Sequence, residues 1–194
     1  MFGYLPGVGR PTSGSEPSAF EAQITGARDD AGTTVRAATL DDATATLEIH
    51  NLEVTDSTVL LDLVPRSLAE QREWLAQHTG GHPAVVAVND AGEVLGYGSL
   101  STFRSRPAYA TTVEDSVYVR RDARGRGVGR MILDDLVVRA TAHGFHSMVA
   151  RVVGQNETSI ALHRACGFEL VGVEREVGRK FGRWLDIVEL QLLL

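Results

Sequence analysis

The residues of this sequence best suited to chemistry are glycines and arginines between a strand-like segment and an amphipathic one. They follow one another over a short stretch: Arg124, Gly125, Arg126, Gly127, Gly129 and Arg130. Glycine has no side chain, so backbone N–H groups can approach an anion there, and the N-terminus of a helix favours negative charge. Because arginines surround the same opening, the stretch predicts a cradle for a pyrophosphate group.

The spacing of the glycines excludes two common classes of phosphate-binding protein. The pattern is Gly-x-Gly-x-Gly, whereas dinucleotide-binding folds use Gly-x-Gly-x-x-Gly. No Gly-Lys-Ser or Gly-Lys-Thr is present, so the motif that holds a nucleoside triphosphate with its magnesium is missing. The pyrophosphate therefore belongs to another class of ligand.

The elements around this stretch predict an α+β fold built on a mixed sheet. Hydrophobic periodicity and capping signals give the order β-α-α-β-β-β-α-β-α-β-β, with the glycines between the fourth strand and the third helix. The predicted strands are Thr34–Ala37, Ala84–Val88, Val94–Gly98, Thr111–Val119, Met148–Val153, Glu169–Arg175 and Trp184–Leu193. The predicted helices end near Glu53, His78, His143 and Ala165.

The amino-acid composition changes near Thr34. Residues 1–33 are mostly Gly, Pro, Ser, Thr, Ala and Asp, which predicts an extension that packs weakly or is disordered. A lid or an arm on a neighbouring subunit is the alternative, with Phe2, Tyr4, Leu5 and Phe20 as anchors. Residues 34–194 are predicted to form one folded domain.

The composition argues against several classes of partner. Lys and Arg total 19 against 25 Asp and Glu, for a formal net charge of -6, so neither nucleic acid nor an anionic membrane is an expected partner. Cys166 is the only cysteine, which excludes an internal disulfide and a cysteine-based zinc cage. With no signal-peptide pattern at the N-terminus, we expect a cytoplasmic protein.

Four stretches of the sequence resemble one family. Arg124-x-x-Gly127-x-Gly129 after a strand resembles the acetyl-CoA signature of the GNAT superfamily of N-acetyltransferases. The segments Asn156–Ser159 and Leu162–Phe168 together resemble the last motif that this superfamily shares. Thr112–Val119 and Lys180–Asp186 are similar to its branch of phosphinothricin and methionine sulfone/sulfoximine acetyltransferases.

The resemblance covers about residues 34–194 and implies a GNAT-like fold, with a mixed, mostly antiparallel central sheet flanked by helices. It implies direct transfer of an acetyl group from acetyl-CoA, without a metal, to the α-amine of a small amino-acid-like molecule. Phosphinothricin, methionine sulfoximine and methionine sulfone are examples of such acceptors. It also implies a homodimer, with residues around Phe181 and Trp184 near the contact or the neighbouring pocket.

The resemblance also implies which residues bind the cofactor. They are Val117, Tyr118, Val119, Arg124, Gly125, Arg126, Gly127, Val128, Gly129, Arg130 and Asn156. In this family the strand before the glycine loop pairs with the pantetheine arm, and a main-chain N–H faces the thioester oxygen. Val117 would lie nearest the acetyl group, while Asn156 would cap its helix and reach the pantetheine amides.

Two residues are the catalytic candidates. Strand alternation places Glu114 on the face that Ser116 and Tyr118 share, where a carboxylate could accept the ammonium proton directly or through a water. Relatives have a glutamate at the matching position in that role. His163 matches a position where many relatives carry a tyrosine that protonates the leaving thiolate. It is either that acid or a hydrogen-bonding group inside the fold, and both readings stay open.

Acceptor recognition is expected just before the catalytic strand. Arg104 matches an arginine of the branch and could hold a carboxylate through two parallel hydrogen bonds. The implied substrate-binding residues are Arg104, Pro107, Ala108, Tyr109 and Val117. The sequence departs from the branch at Ala108, Ala110, Leu60 and Leu61, so the shape of the pocket and the identity of the acceptor stay open.

Two other functions remain as alternatives. The acceptor could be a different amine: a protein N-terminus, an aminoglycoside or a polyamine. The domain could also be a sensor that binds CoA without catalysis. The presence of Glu114 beside a complete glycine loop argues against the sensor.

Overall fold

The computed structural model describes residues 32–194. The predicted 1–33 extension lies outside the described residues except for its last two positions. The strands are β1 Thr34–Ala37, β2 Ala84–Val88, β3 Val94–Thr102, β4 Thr112–Val119, β5 Ser147–Val153, β6 Glu169–Lys180 and β7 Arg183–Leu193. The helices are α1 Ala43–Asp56, α2 Leu68–Gln77, α3 Val128–Ala142 and α4 Glu157–Ala165. Single 3-10 turns cover Leu40–Asp42, Pro107–Tyr109 and Arg121–Ala123.

The strands of the described residues form one seven-stranded sheet in the order β1-β2-β3-β4-β5-β7-β6. Five of its neighbouring pairs are antiparallel, and β4 with β5 is the parallel pair. The helices pack on this sheet, which confirms the predicted α+β fold with a mixed, mostly antiparallel sheet.

The parallel pair in the middle of the sheet is short. Pairing between β4 and β5 starts at Thr112 with Ser147 and ends at Asp115 with Ala150. On its other side β4 stays paired with β3 as far as Val119. The β5-facing backbone of residues 116–119 therefore has no strand partner, and a gap opens in the sheet there.

Local sequence signals explain where two helices begin. The Ser67 N–H donates to Glu70 Oε2 at 2.7 Å while the Glu70 N–H donates to Ser67 Oγ at 3.2 Å, which is a capping box at the start of α2. The Thr39 N–H donates to Asp42 Oδ2 at 2.7 Å. That contact starts a 3-10 turn, so α1 begins at Ala43, a few residues later than the sequence predicts.

The two faces of β4 meet different parts of the core. Val113 is fully buried, and Val117 and Val119 pack beside it against the cluster built around α3. Tyr118 lies on the other face, where its ring stacks on Tyr97 with centroids 5.0 Å apart, in the cluster beneath α1 and α2. The side chain of Glu114 shares that second face.

The last hairpin is longer than the sequence predicts. β6 continues past Arg175 to Lys180, with a register shift between Glu174 and Gly178. Glu176 has φ 55 in this bulge, and its N–H donates to Asp186 Oδ1 at 2.8 Å. The bulge interrupts the alternation, which is why the pattern appears to end early.

The described residues contain neither a membrane-spanning helix nor a cluster of metal-binding side chains. None of the helices between residues 32 and 194 is long and apolar enough to cross a membrane. Within the same range no three His, Cys, Asp or Glu side chains gather as ligands for a metal ion. That no metal takes part stays a prediction.

Candidate active site

The gap beside β4 opens into a groove of about 310 Å³. Its walls are β4, the glycine loop, the first turn of α3 and the first turn of α4. Of the 11 residues predicted to bind a cofactor, 10 line it: Val117, Tyr118, Val119, Arg124, Gly125, Gly127, Val128, Gly129, Arg130 and Asn156. Arg126 lies on the exposed loop outside the lining.

The N-terminus of α3 faces this groove. Gly127 is the N-cap with φ 84 and ψ -9, and the first bond across the helix start runs from the Met131 N–H to the Gly127 carbonyl at 3.1 Å. The N–H groups of Val128, Gly129 and Arg130 precede that bond and have no partner within the helix. They are the donors that a bound anion would meet, together with the positive end of the helix dipole.

The glycines keep the floor of the groove open. Gly125 and Gly127 have φ 74 and φ 84, and a Cβ at either position would meet no atom of the described part of the chain within 4 Å. Gly129 has a different role, since its Cβ would lie 3.2 Å from Leu162 Cδ2. The first two positions are thus open toward a ligand, whereas Gly129 allows α3 to pack closely on α4.

The arginines of the glycine stretch are partly held by protein groups. Arg124 donates from Nη2 to Glu53 Oε1 at 2.8 Å and from Nε to the Val119 carbonyl at 3.2 Å. Arg130 pairs with Asp134 through Nε at 2.7 Å. The guanidinium of Arg124 is therefore fixed at the edge of the groove by a strand and a helix.

Glu53 on α1 is the buried anchor of this arrangement. Its side chain is 4% exposed and also accepts from Arg121 Nε at 3.0 Å. Burial acts to raise the pKa of Glu53, but hydrogen bonds and the charges of Arg121 and Arg124 outweigh it and lower the pKa below its ordinary value. Glu53 is thus an ionised carboxylate that links α1 to the glycine loop.

Asn156 lies where the groove narrows into a smaller cavity of about 70 Å³. Its Oδ1 accepts from the Ser159 N–H at 3.2 Å and caps α4, as the sequence predicts. No hydrogen bond joins its Nδ2 group to the described residues, so these donors are left for a ligand. Val117 and Tyr118 line both cavities.

His163 and Asp115 form a buried pair on the wall of the smaller cavity. His163 Nδ1 donates to the Ser159 carbonyl at 2.7 Å, and Nε2 lies 3.0 Å from Asp115 Oδ2. Burial acts to lower the pKa of His163, but the bond and the charge of Asp115 outweigh it and raise the pKa above its ordinary value. Both ring nitrogens are engaged, and Asp115 Oδ1 is buried without a hydrogen-bond partner among residues 32–194.

Glu114 lies on the opposite face of β4 from this pair and lines neither cavity. It is half-buried, and burial raises the pKa of its carboxyl, with a further contribution from Asp115 and Glu189. The charges of Arg151 and Arg104 act in the opposite direction. A half-buried carboxylate with a raised pKa beside a gap in the sheet suits proton transfer.

Four of the five predicted acceptor residues, Arg104, Pro107, Ala108 and Tyr109, lie on the loop before β4, outside both cavities, whereas Val117 on β4 lines both. The Arg104 guanidinium carbon lies 4.7 Å from the ring centroid of Phe103 and 5.5 Å from that of Tyr109. The two rings hold the cation in place. Pro107 and Ala108 are exposed on the same 3-10 turn.

The sequence did not predict the roles of Glu53 and Asp115. It also did not predict the buried end of Lys180, whose Nζ donates to the Leu60 carbonyl at 2.7 Å. The sequence of α1 nevertheless contains one pattern that indicates buried polar side chains. Its buried face repeats polar residues at helical spacing, namely Thr46, His50 and Glu53. A polar stripe on a packed helix face indicates buried hydrogen bonding rather than solvent.

A larger cavity of about 460 Å³ lies on the other side of α1. Five carboxylates line it, Asp41, Asp42, Glu48, Glu53 and Glu93, against two arginines, Arg120 and Arg121, so its charged lining is acidic overall. That lining does not suit a phosphate, so the site is the smaller, glycine-floored groove.

A helix N-terminus with a glycine floor, set against a gap between two parallel strands, defines a class of CoA-dependent acyltransferase folds, and comparisons with known proteins agree. The acetyltransferase (GNAT) domain matches residues 35–188. The L-methionine sulfoximine/L-methionine sulfone acetyltransferase of Pseudomonas paraeruginosa is 44% identical over 161 residues, covering 82% of this chain and 94% of that protein. The phosphinothricin N-acetyltransferase of Streptomyces coelicolor is 37% identical, with coverages of 79% and 91%.

Solved structures give the same result. The crystal structure of a phosphinothricin acetyltransferase from Sinorhizobium meliloti in complex with acetyl-CoA matches with a TM-score of 0.81 and 42% identity, covering 84% of this chain and 89% of that chain. The protein belongs to the GNAT family of acetyltransferases. The family and the enzyme class predicted from the sequence are thereby confirmed.

Proposed function

We propose that the protein transfers the acetyl group of acetyl-CoA to the α-amine of a small amino-acid-like acceptor of the phosphinothricin, methionine sulfoximine or methionine sulfone class. The groove that gathers 10 predicted cofactor residues at the start of α3 carries this proposal. Acetyl-CoA supplies the activated acetyl group. The named activities of the relatives and the acetyl-CoA bound to the Sinorhizobium meliloti enzyme support the same donor and acceptor class.

The residues of the groove fit this donor. Its pyrophosphate would accept hydrogen bonds from the N–H groups of Val128, Gly129 and Arg130, over the open positions of Gly125 and Gly127. The pantetheine arm has amides that would pair with the free backbone edge of residues 116–119 and with Asn156 Nδ2. Arg124 would add positive charge, and Arg126 would contribute from the loop outside the groove.

Glu114 acts as the base in this proposal. Its carboxylate takes the proton of the acceptor ammonium, directly or through a water, so that the neutral nitrogen can attack the acetyl carbonyl. The C–S bond then breaks as the amide forms, and the departing CoA thiolate takes the second proton that the nitrogen loses. The Val117 N–H would donate to the developing oxyanion. Both groups belong to the part of β4 that borders the gap, and direct transfer needs no acyl-enzyme.

His163 fits a positioning role better than that of the acid. Its two nitrogens bond to Ser159 and Asp115, so protonating a leaving thiolate would first require breaking one of those bonds. The pair joins α4 to β4 beside the smaller cavity. In this role His163 fixes the start of α4, and with it Asn156.

Arg104 is the proposed receptor for the acceptor carboxylate. Its guanidinium makes no ion pair with the described residues, is held by two rings and acts electrostatically on Glu114. A carboxylate there would present the neighbouring α-ammonium to the base. The loop residues Pro107, Ala108 and Tyr109 would shape the rest of the pocket with Val117.

The test is a turnover assay with acetyl-CoA over a panel of amines. We expect free amino acids of the proposed class to be acetylated, and their amides and decarboxylated amines to lose roughly ten- to a hundredfold in kcat/KM, because a charge-assisted pair is lost. Arg104→Ala should remove this preference. Arg106→Ala, an exposed arginine of the same loop, should retain it.

Three outcomes would contradict the proposal. Faster acetylation of alkyl amines, aminoglycosides or peptides than of every free amino acid would contradict the acceptor class. An unchanged preference in Arg104→Ala would contradict the role of that arginine. CoA binding with no turnover on any amine would indicate a sensor.

We also propose a homodimer. Apolar side chains are more than half exposed on the edge hairpin: Leu170, Val171, Val173, Val177, Phe181 and Trp184. A patch of this kind on the edge strands of a sheet suits a second copy of the chain. The cytoplasmic location expected from the sequence stays a prediction.

A further inference from the structure

A row of charged side chains crosses the sheet beside Glu114. Arg151 on β5 is paired across the strands with Glu189 on β7, and its guanidinium forms an ion pair with Glu174 on β6. None of these three residues belongs to the groove or to the acceptor loop, although Arg151 borders the smaller cavity.

Strand geometry places Arg151 on the face of the sheet that carries Glu114. Met148, Ala150 and Val152 point into the core around α3, so the residues between them point to the opposite face. Glu114 is paired with Val149 in the parallel register, and Arg151 is the next residue of β5 on that face. Arg151 thus follows directly on the last strand pair, at the mouth of the gap.

The charged groups that act on the Glu114 carboxyl lie on four elements, and Asp115 does so from the opposite face of β4. Arg151 lies on β5, Glu189 on β7, Asp115 on β4 itself and Arg104 on the preceding loop. Arg151 exerts the largest effect of these neighbours on the Glu114 carboxyl, but it lies beyond ion-pair distance. It therefore acts on Glu114 through its field and leaves the carboxylate oxygens free.

We propose that Arg151 is a positioning residue for acetyl transfer: it keeps the Glu114 carboxylate ionised at the pH of catalysis, and Glu189 opposes it. The inference rests on the proposed role of Glu114 as base. The proton lost by the acceptor ammonium passes to that carboxylate, and a Glu114 that is already protonated cannot take it. The ionised fraction of Glu114 therefore sets the acidic limb of the rate profile.

The experiment measures kcat/KM for the acceptor against pH in matched variants. Arg151→Gln should move the acidic limb upward by about half to one pH unit, the size expected for one charge acting over several ångströms in a partly solvated site. Glu189→Gln should move it downward. Arg151→Lys should restore most of the wild-type profile, and Arg175→Gln, an exposed arginine of the same sheet, should leave it unchanged.

A second readout is independent of activity. Carbon-13 labelling of glutamate carboxyls allows the titration of Glu114 to be followed by NMR, with Glu114→Gln identifying the signal. That signal should titrate at higher pH in Arg151→Gln and at lower pH in Glu189→Gln. Opposite shifts from the two charge removals are not expected from a structural role, which would lower activity at every pH.

The outcomes separate this inference from the proposed function. If Glu114→Gln keeps the acidic limb, the assignment of the base is wrong. If Glu114→Gln removes the limb but Arg151→Gln and Glu189→Gln leave it in place, the role of Arg151 is wrong and the base survives. A uniform rise in acceptor KM with an unmoved limb would mean that Arg151 binds the acceptor, and this too would overturn the proposal.

Discussion

A glycine at position 127 could be required for its backbone conformation or for the space that it leaves to a ligand. The substitution Gly127→Ala separates these two reasons. Gly127 has φ 84, and an added Cβ meets no atom of the described part of the chain within 4 Å. Without a ligand, Gly127→Ala should therefore lower the free energy of unfolding only because alanine must adopt a left-handed backbone conformation, which costs about 1–2 kcal/mol. The substitution should also weaken the binding of a pyrophosphate, because the methyl group would occupy the space over the α3 N-terminus.

Gly144 provides the matched control at the other end of α3. It has φ 80, and its added Cβ also meets nothing within 4 Å. Both variants should lower the melting temperature by a similar amount, roughly 2–8 °C for a chain of this length. Calorimetric titration with CoA should then show at least a tenfold loss of affinity, about 1.4 kcal/mol, in Gly127→Ala alone.

If Gly127→Ala binds CoA as tightly as Gly144→Ala does, the anion does not lie over the start of α3. A loss of CoA affinity in both variants would instead indicate that either substitution destabilises α3 as a whole. Either result would remove the support that the glycine pattern gives to the groove.

The remaining predictions concern the buried pair and the edge hairpin. Asp115→Asn should lower stability by about 1–3 kcal/mol, because it weakens the charged bond that raises the pKa of His163. A histidine whose pKa is raised in the folded state stabilises the fold below pH 6.5, and this effect is lost as the pH rises through the folded pKa. Chemical denaturation should therefore show that Asp115→Asn lowers the free energy of unfolding more at pH 6 than at pH 9. An equal loss at both would contradict the ion pair. Light scattering should give twice the chain mass of 20.9 kDa for the protein and a monomer for Val177→Lys/Trp184→Lys; a wild-type monomer would contradict the dimer.

The features that the sequence predicts well are those with local causes. The capping box of Ser67 and Glu70 needs two residues three apart, and the continuous apolar run Ala84–Val88 needs only one fully buried strand. The glycine loop belongs to the same group, since its conformations depend on residues that are neighbours in the chain. Elements and cofactor loop are therefore predictable from spacing alone.

The features it does not predict join residues far apart in the chain. Glu53 meets Arg124 from 71 positions away, and Asp115 meets His163 from 48. Glu53 resembles any polar residue of an amphipathic helix until the packing of α1 buries it. Such pairs depend on which helix covers which strand, and a single sequence gives no spacing that reports this.

β4 explains how the two halves of the proposed reaction meet without mixing. Successive side chains of a strand point to opposite faces, so the proposed base Glu114 lies on one face of β4 while Asp115 and Val117 lie on the other, beside the proposed cofactor site. The backbone between them is common to both, and it is free to bond a ligand because β5 has left it unpaired after Asp115. A shift of β4 by one residue would exchange the two faces and bury Glu114 against α3. The short parallel pairing therefore has two consequences: it opens the gap in which we propose that the thioester binds, and it holds the proposed base one residue away on the other face.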